Sequence, residues 1–75
     1  MKIKTENEKI FEGNDEKEIV LKMSRADFLA TGKEDYMNEV KERLKIIYEV
    51  KISFKENDHK SFLKALGKNN FIEFI

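Results

Sequence analysis

The large apolar residues of this chain change their spacing along the sequence, and that change constrains the fold more than any other feature. Between Met37 and Ile47 they recur at steps of three and four residues, which is typical of one face of an α-helix. Val50, Ile52 and Phe54 instead alternate with polar residues, which is the two-residue period of a strand with one solvated face. Both periods within one short chain predict an α+β domain.

Applied to the whole chain, the same two periods predict seven elements in the order ββααβαβ. The predicted strands cover residues 1–5, 9–12, 50–54 and 71–75, and the predicted long helix covers residues 33–48. A first helix precedes residue 31, and a short helix lies between the last two strands. We expect a single domain over residues 1–75, with one small mixed sheet and helices packed mainly on one face.

Capping residues mark where the helices begin and end. Asp15 and Glu18 have the spacing of a capping box at the start of the first helix. Ser24 has a similar relation to the acidic residue three positions later, which predicts a kink there and a separate short turn over residues 25–30. Asp58 is the expected N-cap of the last helix, and Gly67 is its expected left-handed C-cap.

The size and composition of the chain argue against disulfides, metal sites and nucleotide-binding sites. A chain of 75 residues buries only about 60% of the surface that its unfolded form exposes. It has no cysteine, and its one histidine, His59, cannot hold zinc unaided. It also lacks a glycine-rich phosphate-binding motif. We therefore expect no metal, no cofactor and a core held by packing alone or with a partner chain.

No segment has the character of a membrane span. The longest uninterrupted apolar runs contain three residues, whereas a helix that crosses a bilayer needs about 20. The sequence has no apolar run of the length found in secretory signals. We expect a cytoplasmic protein with no membrane partner.

His59 is the first candidate for proton transfer, because histidine titrates near neutral pH. Asp58 and Glu56 are close to it in sequence and would supply the carboxylate of an enzyme built on it. No second histidine and no nucleophile motif accompanies them. We therefore expect a protein that is not an enzyme, in which His59 is a surface residue at the start of a helix.

The balance of positive and negative residues argues against a nucleic-acid-binding function. Fifteen Lys and Arg residues match fifteen Asp and Glu residues, so the net positive field that draws basic domains to polyanions is missing. The residues best placed to contact a nucleic acid lie near the end of the long helix: Lys41, Arg43, Lys45, Tyr48 and Lys51. Glu42 and two further glutamates interrupt this group, which leaves a nucleic-acid accessory protein as the alternative prediction.

The last five residues are apolar on both faces, as in a strand that is covered on each side or lies against a partner. Phe71, Phe74 and Ile75 are therefore candidate contacts at a sheet edge, and Phe28 with Leu29 forms a second candidate patch. The other interpretation is that these side chains complete the monomer core. We predict a small interaction or regulatory module whose partner is another protein or a second copy, as in a homodimer.

Four groups of core and turn positions carry a resemblance that spans nearly the whole chain. They are Ile10-Phe11-Glu12-Gly13, Glu18-Ile19-Val20 with Met23, Tyr36-Met37 with Val40 and Arg43, and Ser61-Phe62-Leu63 with Leu66. In these positions the chain resembles short uncharacterised bacterial proteins. The resemblance implies a shared fold and carries over no catalytic site.

Overall fold

A computed structural model describes residues 1–27, 30 and 35–75 of the chain. Its strands are β1 (Lys2–Thr5), β2 (Ile10–Glu12) and β3 (Ile72–Phe74), and its helices are α1 (Glu16–Ala26), α2 (Tyr36–Tyr48) and α3 (His59–Lys68). The strands form one antiparallel sheet in the order β2-β1-β3. The predicted α+β class is confirmed.

The central strand β1 fixes which face of the sheet is covered. Ile3 lies opposite Phe11 of β2 and Phe74 of β3, and it is fully buried. Successive side chains of a strand point to opposite faces, so Lys2 and Lys4 lie on the other face. Helix α1 packs against β2 and α3, and α3 packs against β3. The helices therefore cover the Ile3 face, and we call the Lys2 side the open face.

The apolar core draws side chains from both ends of the chain and from each described helix. Its buried members are Ile3, Ile19, Val20, Met23, Met37, Val40, Leu44, Ile52, Phe62, Leu63, Leu66 and Ile72. Phe62 is the largest fully buried side chain, and its ring meets Phe54 edge-on with centroids 5.1 Å apart. None of the described polar or charged residues is buried, so the core of this part of the chain holds by apolar packing.

Two of the predicted helix starts are confirmed by their hydrogen bonds. The Asp15 carboxylate accepts from the Glu18 N–H at 2.9 Å, and the Asp58 carboxylate accepts from the Ser61 N–H at 3.1 Å. Each contact satisfies an amide that the helix itself leaves without a partner. None of the described helices is both long enough and apolar enough to cross a membrane.

The predicted strand at residues 50–54 is wrong, although its burial pattern is right. Ile52 is buried, Val50 and Phe54 pack against the core, and the residues between them are exposed. The segment is not part of the sheet, because it runs beside the helices: Phe54 contacts Phe62 of α3, and the Lys41 ammonium of α2 lies 6.0 Å from its ring centroid. The predicted mixed sheet is wrong as well, since both pairings are antiparallel.

Three further expectations about the helices are wrong for local reasons. α1 does not stop at Ser24, since the helix continues to Ala26, and the Ser24 hydroxyl donates to the Leu21 carbonyl at 2.8 Å instead of capping a new turn. Gly67 is inside α3 rather than its left-handed cap, and the positive φ after this helix is at Asn70. Ile47 follows the apolar stripe of α2 but is 61% exposed, since the last turn of α2 extends beyond the core.

Candidate interaction surface

The outer side of β3 pairs with no described strand. The Ile75 N–H donates to the Lys2 carbonyl of the neighbouring strand at 3.1 Å. Backbone groups in an antiparallel ladder alternate between the two sides of a strand, so those of Glu73, two residues earlier, also face β1. The N–H and C=O groups of Ile72 and Phe74 consequently point away from the sheet. β3 thus presents a free row of backbone donors and acceptors.

A trough runs along this free edge, between β3 and α3. Its larger part has a volume of about 830 Å³ and is lined by residues 70–74, by Lys64, Gly67 and Lys68 of α3, and by Lys4, Thr5, Glu6 and Glu8 from the end of β1 and the turn after it. A second part of about 270 Å³ continues past Lys64 and Phe74 towards Lys60 and Met1. We call the two parts together the β3 trough. It has one wall from the sheet and one wall from α3.

Gly67 lets the strand and the helix approach closely at the floor of the β3 trough. A Cβ atom added to Gly67 would lie 2.9 Å from Cε2 of Phe74, which is closer than two carbon atoms can pack. The Phe74 ring therefore rests on the helix at the position where a side chain is missing. Its other side is open, and the residue is 48% exposed.

The helix wall of the β3 trough carries charges of one sign. Lys60, Lys64 and Lys68 recur at four-residue steps, which places them on one side of α3, and all three are exposed. Residues 59–68 contain no Asp or Glu. The ion pairs formed by the described residues involve Lys22 and Arg43, and none of these three lysines. The wall is therefore basic even though the whole chain has no net charge.

The predicted interface residues of the last strand are not on one surface. Phe74 is on the helix side of the edge, whereas Ile75 is on the open face and is 56% exposed. Phe71 is half-buried, meets the Tyr48 ring at a centroid distance of 5.4 Å and donates its N–H to the Leu66 carbonyl. Phe71 and Phe74 both line the β3 trough, and Phe74 is the more exposed of the two. Phe28 and Leu29 lie outside the described residues.

The structure brings together three of the five residues predicted to contact a nucleic acid. Lys41, Lys45 and Lys51 line one concavity of about 330 Å³. Glu42 lies in the same concavity and offsets part of their charge. The other two are elsewhere: Tyr48 contacts Phe71, as described above, and Arg43 lines a different cleft.

That cleft contains a small polar cluster on the other side of α2. Nη1 of Arg43 lies 2.7 Å from Oδ2 of Asp27, and both side chains are mostly buried. The Tyr36 hydroxyl donates to the same carboxylate. Polar and apolar residues, among them Lys9, Phe11 and Met23, line the rest of this cleft, whose volume is about 270 Å³. The Arg43 guanidinium is thus held against the body of the domain by its own ion pair.

The polar cluster leads to a measurable pH effect. Burial, followed by the Asp27 carboxylate, raises the pKa of Tyr36 from its ordinary value of 10.0 to about 12. In the Tyr48→Phe variant, where Tyr36 is the one tyrosine left, we expect tyrosinate absorbance to appear with a midpoint near pH 12. The unfolded chain loses this proton first, so stability should fall as the pH rises from about 10 to about 12.

Asp27→Asn, added to the Tyr48→Phe variant, is the control for this titration. It removes the carboxylate charge but leaves the ring buried, so the Tyr36 midpoint should move part of the way back towards its ordinary value. A midpoint near 10 in the Tyr48→Phe protein itself, with the fold intact by circular dichroism, would contradict the burial of this hydroxyl.

His59 is the first residue of α3 and is half-buried. It borders a shallow depression with Asp58, Asp15 and Glu16. Glu56 does not line that depression. Among the described residues, no group of three or more His, Asp or Glu side chains is placed to hold a metal ion.

The basic wall of the β3 trough was missed by sequence reasoning, although its signal is visible in the sequence. Three lysines at four-residue steps in a helix with no acidic residue depart from the mixed charges of the rest of the chain. A row of like charges on one side of a helix does not indicate a binding site until the element that packs beside it is known. The fold supplies that neighbour by placing the stripe beside a free strand edge.

Comparison of this chain with protein-family models, with curated proteins and with solved structures found no match.

Proposed function

We propose that this protein is a non-enzymatic interaction module that binds a polypeptide strand along the free edge of β3. The observation that carries the proposal is the β3 trough, in which the outward backbone groups of Ile72 and Phe74 lie beside an open groove. An extended peptide seated there would extend the sheet through main-chain hydrogen bonds. Phe74, half-exposed above Gly67, would supply an apolar contact.

Natural proteins usually protect a free edge with charge, proline or a covering element. The chain has no proline, and in β3 only Glu73 is charged. The Glu73 side chain is on the open face, opposite Lys4, and does not block the helix side of the edge. Apart from the short length of β3, three residues, the helix side of the edge has none of these protections, which supports a binding role.

The proposal is tested by selecting peptides from a random library on the immobilised chain and measuring amide hydrogen exchange in the complex. We expect a selected peptide to slow exchange at the outward amides of Ile72 and Phe74. Peptides that bind while these two amides exchange as before would overturn the proposal.

Substitutions at Phe74 separate the backbone contribution from that of the side chain. Phe74→Ala removes the ring and keeps the N–H, whereas Phe74→Pro removes both, and proline is tolerated on the outer side of an edge strand. Peptide binding should weaken with alanine and be lost with proline. Equal binding by the two variants, each folded by circular dichroism, would show that the outward N–H has no role.

Self-association is one form of the same function. Light scattering at high micromolar concentration measures it directly, and a dimer that Phe74→Asp reduces to a monomer would identify a second copy as the partner. A monomer that still binds selected peptides would instead identify another protein as the partner.

A second candidate is a nucleic-acid accessory protein, which the shared concavity of Lys41, Lys45 and Lys51 favours. If this candidate is right, the chain should bind a labelled oligonucleotide, and the binding should weaken steeply with added salt. Arg43 is less suited to this role, because its guanidinium is paired with Asp27. The absence of a fluorescence change at low salt would exclude this candidate.

A further inference from the structure

We propose that the occupant of the β3 trough is an extended, acidic segment of another protein, with carboxylates on the side that faces α3. This inference rests on the proposed function and adds the chemistry of the partner. It follows from the charges of the two walls and from the spacing of the lysines.

The charges that line the β3 trough are unequally distributed. Lys60, Lys64 and Lys68 are on the helix wall, without an acidic residue among them. Most of the acidic groups lie on the other walls: Glu6 and Glu8 in the turn after β1, and Glu73 on the open face with Lys4 opposite it. Glu16 borders Lys60 at the far end of the trough. A strand in the β3 trough would therefore meet positive charge on its helix-facing side, above all at Lys64 and Lys68.

The spacing of the lysines also matches a β-strand. Four residues of α-helix rise about 6 Å, and two residues of a strand rise about 6.6 Å. Lys64 and Lys68 line the larger part of the β3 trough together with residues 71–74, and Lys60 and Lys64 line the smaller part with Phe74, so α3 borders both parts. Helix-facing side chains two residues apart in an added strand would consequently have nearly the spacing of successive lysines, so an alternating sequence with acidic residues on one face fits the wall.

The lysines of α3 also argue against a second copy of this chain as the molecule that binds in the β3 trough. Pairing two β3 edges about a two-fold axis would extend one sheet and put both α3 helices side by side on its covered face. The lysine rows of the two copies would then face each other without acidic residues between them. Such like-charge contact disfavours the homodimer and leaves an acidic partner as the complementary one.

Three peptides of equal length test the inference: one alternating Val with Glu, one alternating Val with Gln, and one alternating Val with Lys. Each is titrated, with a fluorescent label, into the full chain and into two double variants. Lys64→Glu with Lys68→Glu reverses the trough wall, whereas Lys41→Glu with Lys45→Glu makes the same change in net charge on α2, away from the trough.

We expect the Val/Glu peptide to bind the unmodified chain at least about tenfold more tightly than it binds the trough variant. The trough variant should in turn bind the Val/Lys peptide, and the α2 variant should behave like the unmodified chain. Amide exchange at Ile72 and Phe74 should slow in each complex that forms. Binding should also weaken with salt.

Three outcomes would overturn the inference. Equal loss of Val/Glu binding in both double variants would mean that overall charge, rather than the trough wall, attracts the peptide. Tighter binding of the Val/Gln or Val/Lys peptide, with Ile72 and Phe74 protected, would refute the acidic partner and leave the proposed function standing. A dimer in light scattering that Phe74→Pro dissociates would identify a second copy as the occupant. If no peptide protects these amides, the proposed function fails as well.

Discussion

Phe62→Ala is expected to lower the free energy of unfolding by about 3 to 5 kcal/mol, which is comparable to the whole stability of many small domains. Phe62 is fully buried, and the ring of Phe54 packs edge-on against it. Alanine would remove the ring's apolar surface from the core and leave a cavity that neighbouring side chains fill only in part. Urea denaturation followed by far-ultraviolet circular dichroism measures the loss.

Two variants keep this prediction testable if Phe62→Ala is unfolded from the start. Phe62→Leu retains most of the apolar volume and should cost about 1 kcal/mol, which leaves a measurable transition. Phe74→Ala makes the same chemical change at a residue that is 48% exposed, so its cost should be much smaller. Similar urea midpoints for Phe62→Ala and Phe74→Ala would contradict the position of Phe62 in the core.

Arg43→Ala is expected to lower the free energy of unfolding by about 2 kcal/mol, between the values for exposed and fully buried ion pairs. The two side chains of this pair are 25% and 16% exposed, so water screens their attraction only in part. Removing the guanidinium takes away the positive charge that lies 2.7 Å from the mostly buried Asp27 carboxylate. The change in urea midpoint measures the cost.

The exposed pair of Lys22 with Glu18 provides the matched control. Its atoms are 3.5 Å apart and its side chains are 47% and 39% exposed, so Lys22→Ala should cost less than about 1 kcal/mol. A double-mutant cycle with Asp27→Ala isolates the interaction energy between Asp27 and Arg43. An interaction energy near zero would mean that the pair has no role in stabilising the fold.

Helix starts were predictable because their chemistry is local. Asp15 and Asp58 each bond an amide three residues later, and this contact needs no information from the rest of the chain. The end of α3 was less predictable, because Gly67 suits a left-handed cap by residue type alone. Its actual role depends on the Phe74 ring, which comes from a strand seven residues later.

Only the strand of the candidate site could be predicted from the sequence, because its signal is local. An apolar final segment, residues 71–75, suggested a strand at a sheet edge, and the structure has the strand Ile72–Phe74 there. The helix wall of the site could not be predicted in this way, because Lys60, Lys64 and Lys68 form one surface with the strand only once α3 is placed beside β3. The cluster of Asp27, Tyr36 and Arg43 likewise joins residues that are distant in sequence.

By itself, the sequence determined which side chains face inward and where most helices begin, because periodicity and capping act over a few residues. Only the tertiary structure decided what lies beside each inward-facing segment. The alternation in residues 50–54 correctly predicted that Ile52 is buried, yet the segment packs beside helices rather than beside a strand. Burial depends on a residue's own apolar surface, whereas strand pairing requires backbone partners that a distant part of the chain must supply.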